Sequence, residues 1–184
     1  MPNWCHTRLS VEGSPENVSA FIAGLGVGVP TLGNLPCASI LETYYPIPEE
    51  YDAGWQTHNY GSKWADCHTY LEEYDGNDYA AYAVFTFDSA WSPLSQGFRH
   101  LSELFPDLRF ELSHEEEADF FCGAEVFRDG HVLFSDLFDP EDHYKATHGT
   151  APDFDTEEGC EKYNQTKWDA FHAVEERAQK VGRP

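Results

Sequence analysis

The same corner is written twice in this chain. In "RLSVEGSPENVSAFIAGLG" and again in "FTFDSAWSPLSQGF", a run with strand character meets a Ser-Pro dipeptide and passes into a helical pattern. Such a repeat leaves few topologies, because each crossover helix must return its chain to the sheet it left. At the first corner Cys5, Thr7, Leu9 and Val11 alternate with His6, Arg8, Ser10 and Glu12, the period of a half-buried strand. Ser14 is placed to cap, Pro15 suits the first helical position, and Val18, Phe21, Ile22 and Leu25 keep helical spacing up to Gly26. At the second corner Ser92 is expected to cap and Pro93 to begin a helix. Its stripe would be Leu94, Phe98, Leu101 and Phe105, ended by Pro106.

Between the corners, "ADCHTYLEEY" and "YAAYAVFTF" read as strands joined by a tight turn at Asp75–Asp78. That turn lacks the distal glutamate of a calcium-binding loop. After the second helix, "LRFELSH" turns Phe110 and Leu112 inward. The order is therefore β-α-(insertion)-β-β-α-β, an α+β, ferredoxin-like split βαβ arrangement. The insertion, 27–63, is too long to be structureless in a compact domain. It is expected to be packed by Tyr44, Tyr45, Ile47, Tyr51 and Trp55. An extra hairpin, 119–137, is marked by Asp129-Gly130. The body thus spans 1–138. Residues 139–184 read as an acidic connector and a C-terminal helix, with Asp155 and Glu158 as a capping box. Its stripe of Tyr163, Trp168, Phe171, Val174 and Ala178 is expected to dock on the body.

Charge constrains function more than any motif does. The chain has 33 acidic and 11 basic residues among 184, a net charge of −22, yet 41% of it is hydrophobic. It is acidic without the composition of a disordered tail. Such a surface repels phosphate backbones over a screening length of ~8 Å, so direct nucleic-acid binding is disfavoured and basic partners are favoured. The five cysteines form no CxxC pair, which fits reduced thiols. "MPNWCHTRL" lacks the apolar run of a secretory leader and no window approaches a membrane span. A cytoplasmic protein is expected, with no membrane partner; nothing in the sequence sets its oligomeric state.

Several stretches carry a family resemblance. "MPNWCHTRLSVEG", "YYPIPEE", "HNYGSKWADC", "SAWSPL" and "LFPDLRFELSHEEEADFFCG" follow one another as in the YubB-like, ferredoxin-like-domain family of phage and plasmid proteins, which this chain resembles from Met1 to Gly130. Tyr60, Ser62 and Leu94 depart from the family's usual Trp, Thr and Pro. The resemblance implies a ferredoxin-like fold carried by mobile elements. It implies no catalytic residues.

Three candidate sites follow. The sheet face opposite the crossover helices would carry Trp4, His6, Arg8, His68, Tyr70, Tyr82, Thr86, Arg109 and Glu111, and the C-terminal helix or the hairpin is expected to cover it. Asn59, Tyr60, Lys63, Trp64 and Trp91 could line a pocket near the strand ends. Acidic clusters offer contacts to a cationic partner: Glu72, Glu73 and Asp75; Glu115, Glu116 and Glu117; Asp153, Asp155, Glu157 and Glu158. There is no HExxH, GxSxG, Walker or GxGxxG motif, so no metal, cofactor or catalytic set is nominated. The expected function is non-enzymatic: an accessory protein that inhibits a basic, nucleic-acid-binding host defence protein, of anti-CRISPR or anti-restriction type, by mimicking nucleic acid. The alternatives are a small-ligand or metal-dependent enzyme built on Trp64 and Trp91, and a structural or assembly partner.

Overall fold

The first corner forms as its residues ask. A computed structural model describes residues 2–28 and 34–183, so 29–33 of the expected insertion lie outside the described residues. In β1 (Trp4–Gly13), Cys5, Thr7, Leu9 and Val11 are buried while His6 and Arg8 face outward. The Ser14 hydroxyl accepts from the Asn17 N–H at the head of α1 (Pro15–Gly24), whose Val18, Phe21 and Ile22 are buried.

The second corner is built differently. β4 (Ala81–Ala90) ends just before Trp91, but α4 begins only at Ser95 (Ser95–Leu104), with Leu94 at its cap position and no side-chain cap. Ser92 lies two residues ahead of the cap position, where its hydroxyl donates to the Gly61 carbonyl at 2.8 Å. Trp91 turns the chain through a left-handed backbone, φ +63, with its N–H on the Asn3 carbonyl.

The insertion contains a short strand, β2 (Leu35–Pro36), and two five-residue helices, α2 (Ile40–Tyr44) and α3 (Trp55–Asn59). Tyr44, Tyr45, Ile47 and Trp55 pack on the core. Tyr51, expected with them, is 56% exposed and does not. The remaining strands are β3 (Cys67–Gly76), β5 (Arg109–Glu116), β6 (Cys122–Arg128) and β7 (His131–Phe138). They form a seven-stranded sheet in the order β2-β3-β4-β1-β5-β6-β7, every neighbouring pair antiparallel. The β6–β7 turn has positive φ at Asp129 and Gly130, as a two-residue hairpin of this hand requires.

One face of the sheet carries the main core: Leu9, Phe85, Phe110 and Leu112 beneath Phe21 and Ile22 of α1 and Phe98 and Leu101 of α4. On the other face a smaller cluster joins Ala124 and Val126 of β6 to Val174 and Ala178 of the last helix. The stretch expected to be a plain connector contains a helix, α5 (Pro140–His148). Asp139 caps it, accepting from the Glu141 and Asp142 N–H groups, and Gly149 stops it at φ +74. In α6 (Glu157–Gln179) the cap is Thr156, whose hydroxyl accepts from the Gly159 N–H. Asp155 does not cap and Glu158 completes no box; Asp153 holds Thr156 in place instead, accepting from its hydroxyl.

Candidate functional site on the open half of the sheet

The C-terminal helix covers only half of the face opposite the crossover helices. α6 lies over β5, β6 and β7, and two buried cations pin it there. Arg109 donates to the Ala178 and Val181 carbonyls at 2.7 and 2.8 Å and pairs with Glu111 and Glu12. The Lys167 ammonium reaches Glu115 at 2.7 Å and Asp119 at 2.5 Å. Arg109 and Glu111, on the part of the face that α6 covers, are enclosed as a covered face requires. β3, β4 and β1 are left uncovered. They floor a groove of about 500 Å³ lined by His6, Arg8, His68, Tyr70 and Asp88, with Phe171 and Glu175 of α6 as its wall.

Within the groove one carboxylate joins two imidazoles. Asp88 faces His6 across the β1–β4 ladder, and its two oxygens lie 2.6 Å from His6 Nδ1 and 3.0 Å from His68 Nδ1. His68 gets there through an irregularity in β3, where the register slips between Cys67 and Tyr70 and His68 takes φ +51. A carboxylate on Nδ1 orients each ring and leaves Nε2 for another partner. Burial, reinforced by the Asp66, Asp88 and Glu42 carboxylates, raises the Cys67 thiol above its ordinary value, so it is not a thiolate at neutral pH. Among the described residues, no group of three or more His, Cys, Asp and Glu side chains is arranged to hold a metal ion.

The aromatic residues collect at the end of the groove where β1 begins. Trp4 lies 6.0 Å from Trp64 and 5.7 Å from His68, and Trp64 lies 6.0 Å from Trp91, centroid to centroid. Lys63 Nζ sits 5.8 and 5.5 Å from the Trp64 and Trp91 rings. Asn59 and Tyr60 do not belong to this group. Tyr60 is fully buried with its hydroxyl on the Tyr45 carbonyl, and Asn59 donates to the Trp55 carbonyl. Asp88 was missed from sequence, although the alternation that places Tyr82 and Thr86 on the open face also places it there.

The acidic residues are dispersed. Glu72 and Glu73 lie on β3 and accept from Thr86 and Tyr82, while Asp75 accepts from the Gly76 N–H. Asp153, Asp155, Glu157 and Glu158 are exposed around the start of α6, where the helix dipole favours them. The expected central cluster, Glu115 to Glu117, does not form one acidic surface. Glu115 is committed to Lys167. Glu116 is buried, clamping a turn by accepting from the Ala118 and Phe120 N–H groups. Only Glu117 is exposed, accepting from the Trp4 N–H.

On the core side of the same strands lies a buried ion pair. His114 Nε2 is 3.4 Å from Glu125, while Nδ1 is 3.0 Å from the Thr7 hydroxyl. The Ser95 and Ser135 hydroxyls donate to Glu125. Burial opposes the imidazolium, but the Cys5 thiol and the Glu125 carboxylate outweigh it and push His114 to about 9. Burial likewise raises Glu125, but His114 and the two serines hold it below its ordinary value. The His114 contribution is complete below its unfolded value and is lost as pH rises through about 9. The Glu125 contribution is present above its unfolded value and lost as pH falls through the folded one. Urea unfolding should therefore show stability falling by ~2 kcal/mol between neutral pH and about pH 10. His114→Gln should flatten that alkaline limb; an unchanged limb would place its origin elsewhere.

The helices on one face of this antiparallel sheet, with a half-covered opposite face, define an α+β protein of the ferredoxin-like class. Residues 49–157, more than half of the chain, match the family described as the ferredoxin-like domain in Api92-like protein, and the chain belongs to that family. A crystal structure of a protein api92 from Yersinia pseudotuberculosis superposes with a TM-score of 0.50 at 11% identity, covering 76% of this chain and 98% of that one. At that identity the likeness is one of fold alone. No curated protein matches the chain. No helix among the described residues is long and apolar enough to cross a membrane.

Proposed function

We propose that this chain is a non-enzymatic binding protein of a phage or plasmid that occupies the cationic, nucleic-acid-binding surface of a host defence protein. The finer fold reading belongs to the same proposal: β1, α1, β3, β4, α4 and β5 are the split βαβ unit, with β2, β6 and β7 added at its flanks. The observation that carries it is where the cations go. Of the 11 basic residues, Arg109 and Lys167 are buried in ion pairs. Lys145, Arg177, Lys180 and Arg183 pair with carboxylates at the surface. Arg99 and Arg128 donate to main-chain carbonyls. Lys63 and Lys162 lie over aromatic rings, which leaves Arg8 in the groove; most of the scarce positive charge thus serves the chain's own fold, and the outward field is negative. Glu72, Glu73, Asp75, Glu117 and the acids around the start of α6 face a partner with no cation paired to them among the described residues.

Single exposed ion pairs contribute about 0–1 kcal/mol each, so such a surface acts by number and by speeding encounter. The test is retention of host nucleic-acid-binding proteins on the immobilised chain, followed by salt elution. A basic protein held at low salt, released at high salt and prevented from binding its nucleic acid is the expected result. Retention of no basic protein at low salt would overturn the reading.

The imidazoles joined through Asp88 favour a second reading, a small-ligand or enzyme site in the groove. A thermal-shift screen over nucleotides and divalent cations tests it, and a flat response removes it.

A further inference from the structure

We infer that the open half-sheet is a docking groove for an extended, arginine-bearing segment of the basic partner. This rests on the reading above and says where, and through which side chains, that partner is held. The groove has two unlike ends. Toward the start of β1, Trp64 and Trp91 are 36% and 46% exposed, and the chain's own Lys63 already places a cation over both rings. Further along lie the carboxylates of Asp88, Glu72 and Glu175, with Arg8 the only Lys or Arg of the lining. Trp4, His6 and Arg8 share one face of β1, so the row from Trp4 to Arg8 runs about 14 Å, the reach of about four extended residues. Side chains two apart on an extended segment point the same way. One cation can lie on the indoles while the next meets Asp88.

The chemistry selects arginine. A guanidinium stacks flat on an indole and bonds a carboxylate through two donors, whereas an ammonium does neither as well. Nucleic acid is disfavoured here, because stacking aromatics on a sheet face still need cations for the phosphates, and this groove sets only Arg8 and Lys63 against the carboxylates of Asp88, Glu72 and Glu175. A second copy of the chain is a poor occupant, since its own arginines are largely committed internally. The backbone supports a presenting role as well. Trp91 and His68, which flank Trp64 and Trp4, both take positive φ, a strain that bulky side chains adopt only where the surroundings enforce it.

The test uses the whole protein and two blocked peptides of equal length and charge, with arginine or lysine at alternate positions. At low salt the arginine peptide is expected to quench tryptophan fluorescence and shift the His6 and His68 ring signals in NMR. The lysine peptide should bind about fivefold more weakly. Trp91→Gly removes an indole while supplying the residue best suited to φ +63, so it should fold and bind about tenfold more weakly. Asp88→Asn with Glu72→Gln should weaken binding at least as much. Neutralising Asp155, Glu157 and Glu158 together should change it less than about twofold. Equal binding of the two peptides, equal loss from both sets of neutralised acids, or unmoved histidine signals would each overturn the docking groove. So would self-association of the wild type that Trp91→Gly abolishes, which would give the face to a second copy. If the peptides fail while basic proteins are still retained, only this groove is lost. If no basic protein is retained, the wider reading falls and takes the groove with it.

Discussion

Asp66→Ala is expected to lower stability by about 3–5 kcal/mol, since hydrogen bonds to a charged group contribute ~1.5–3 kcal/mol each before the cost of stranded donors is added. Asp66 is 4% exposed and accepts four hydrogen bonds. They come from the Ser39 hydroxyl at 2.8 Å, the Ile40 and Leu41 N–H groups at 2.7 and 2.9 Å, and the Thr69 hydroxyl at 2.6 Å. Its carboxylate therefore fixes the start of α2, a helix too short to persist alone, and ties it to β3. Ile40 and Leu41, both fully buried, depend on that anchor for their place in the core. Thermal unfolding should move down by roughly 10 °C for a chain of this length. Asp66→Asn should be milder but still costly, because its amide group turns donors toward donors. A change below about 1 kcal/mol in urea unfolding would show that the insertion is held by its aromatic packing instead.

The second large effect is expected at Lys167. Its side chain is 6% exposed between Glu115 and Asp119. Burial disfavours the ammonium, yet the hydrogen bonds to Asp119 and Glu115 prevail and hold it above its ordinary value. Lys167→Met leaves two carboxylates facing one another beneath α6. Breaking a buried pair costs about 3–5 kcal/mol. Here both carboxylates keep about a third of their exposure, so water screens them and about 2–3 kcal/mol is expected. Adding Glu115→Gln and Asp119→Asn should recover most of that loss, because the three side chains act as a unit. Hydrogen exchange should show α6 loosening before the β1–β4 pair does. Uniform loosening would mean that Lys167 does not act through the helix.

What the sequence revealed was local, and what it concealed depended on distant partners. Ser14 and Ser92 both precede proline after a strand. Only Ser14 caps; Ser92 lies two residues ahead of the cap position and donates to the Gly61 carbonyl 31 residues earlier. Cys5 to Leu9 alternate in sequence and in burial alike, and only Ser10 breaks the pattern by being buried beside Val11. The Asp129-Gly130 turn likewise follows from dihedral preference alone. By contrast, α2 and α3 are five residues each, too brief for a period of 3.6 to register. The acid run at Glu115–Glu117 looks uniform on paper, but strand geometry buries Glu116, points Glu115 at Lys167 and leaves only Glu117 exposed. The Asp88 site was half legible. Alternation put His6 and His68 on the correct face, but the β3 irregularity that brings His68 to Asp88 has no signature in its residues. The half-covering of that face also depended on Arg109 and Lys167, whose partners come from another element.

The strand order also separates the unit of descent from the unit of folding. The stretch shared with the family starts at residue 49, yet β1 lies between β4 and β5 in the sheet. Excised at the family boundary, the domain would lose the strand at the middle of its sheet, leaving two half-sheets, each with a raw hydrogen-bonding edge. Any transplant or truncation of this module must carry its first strand with it.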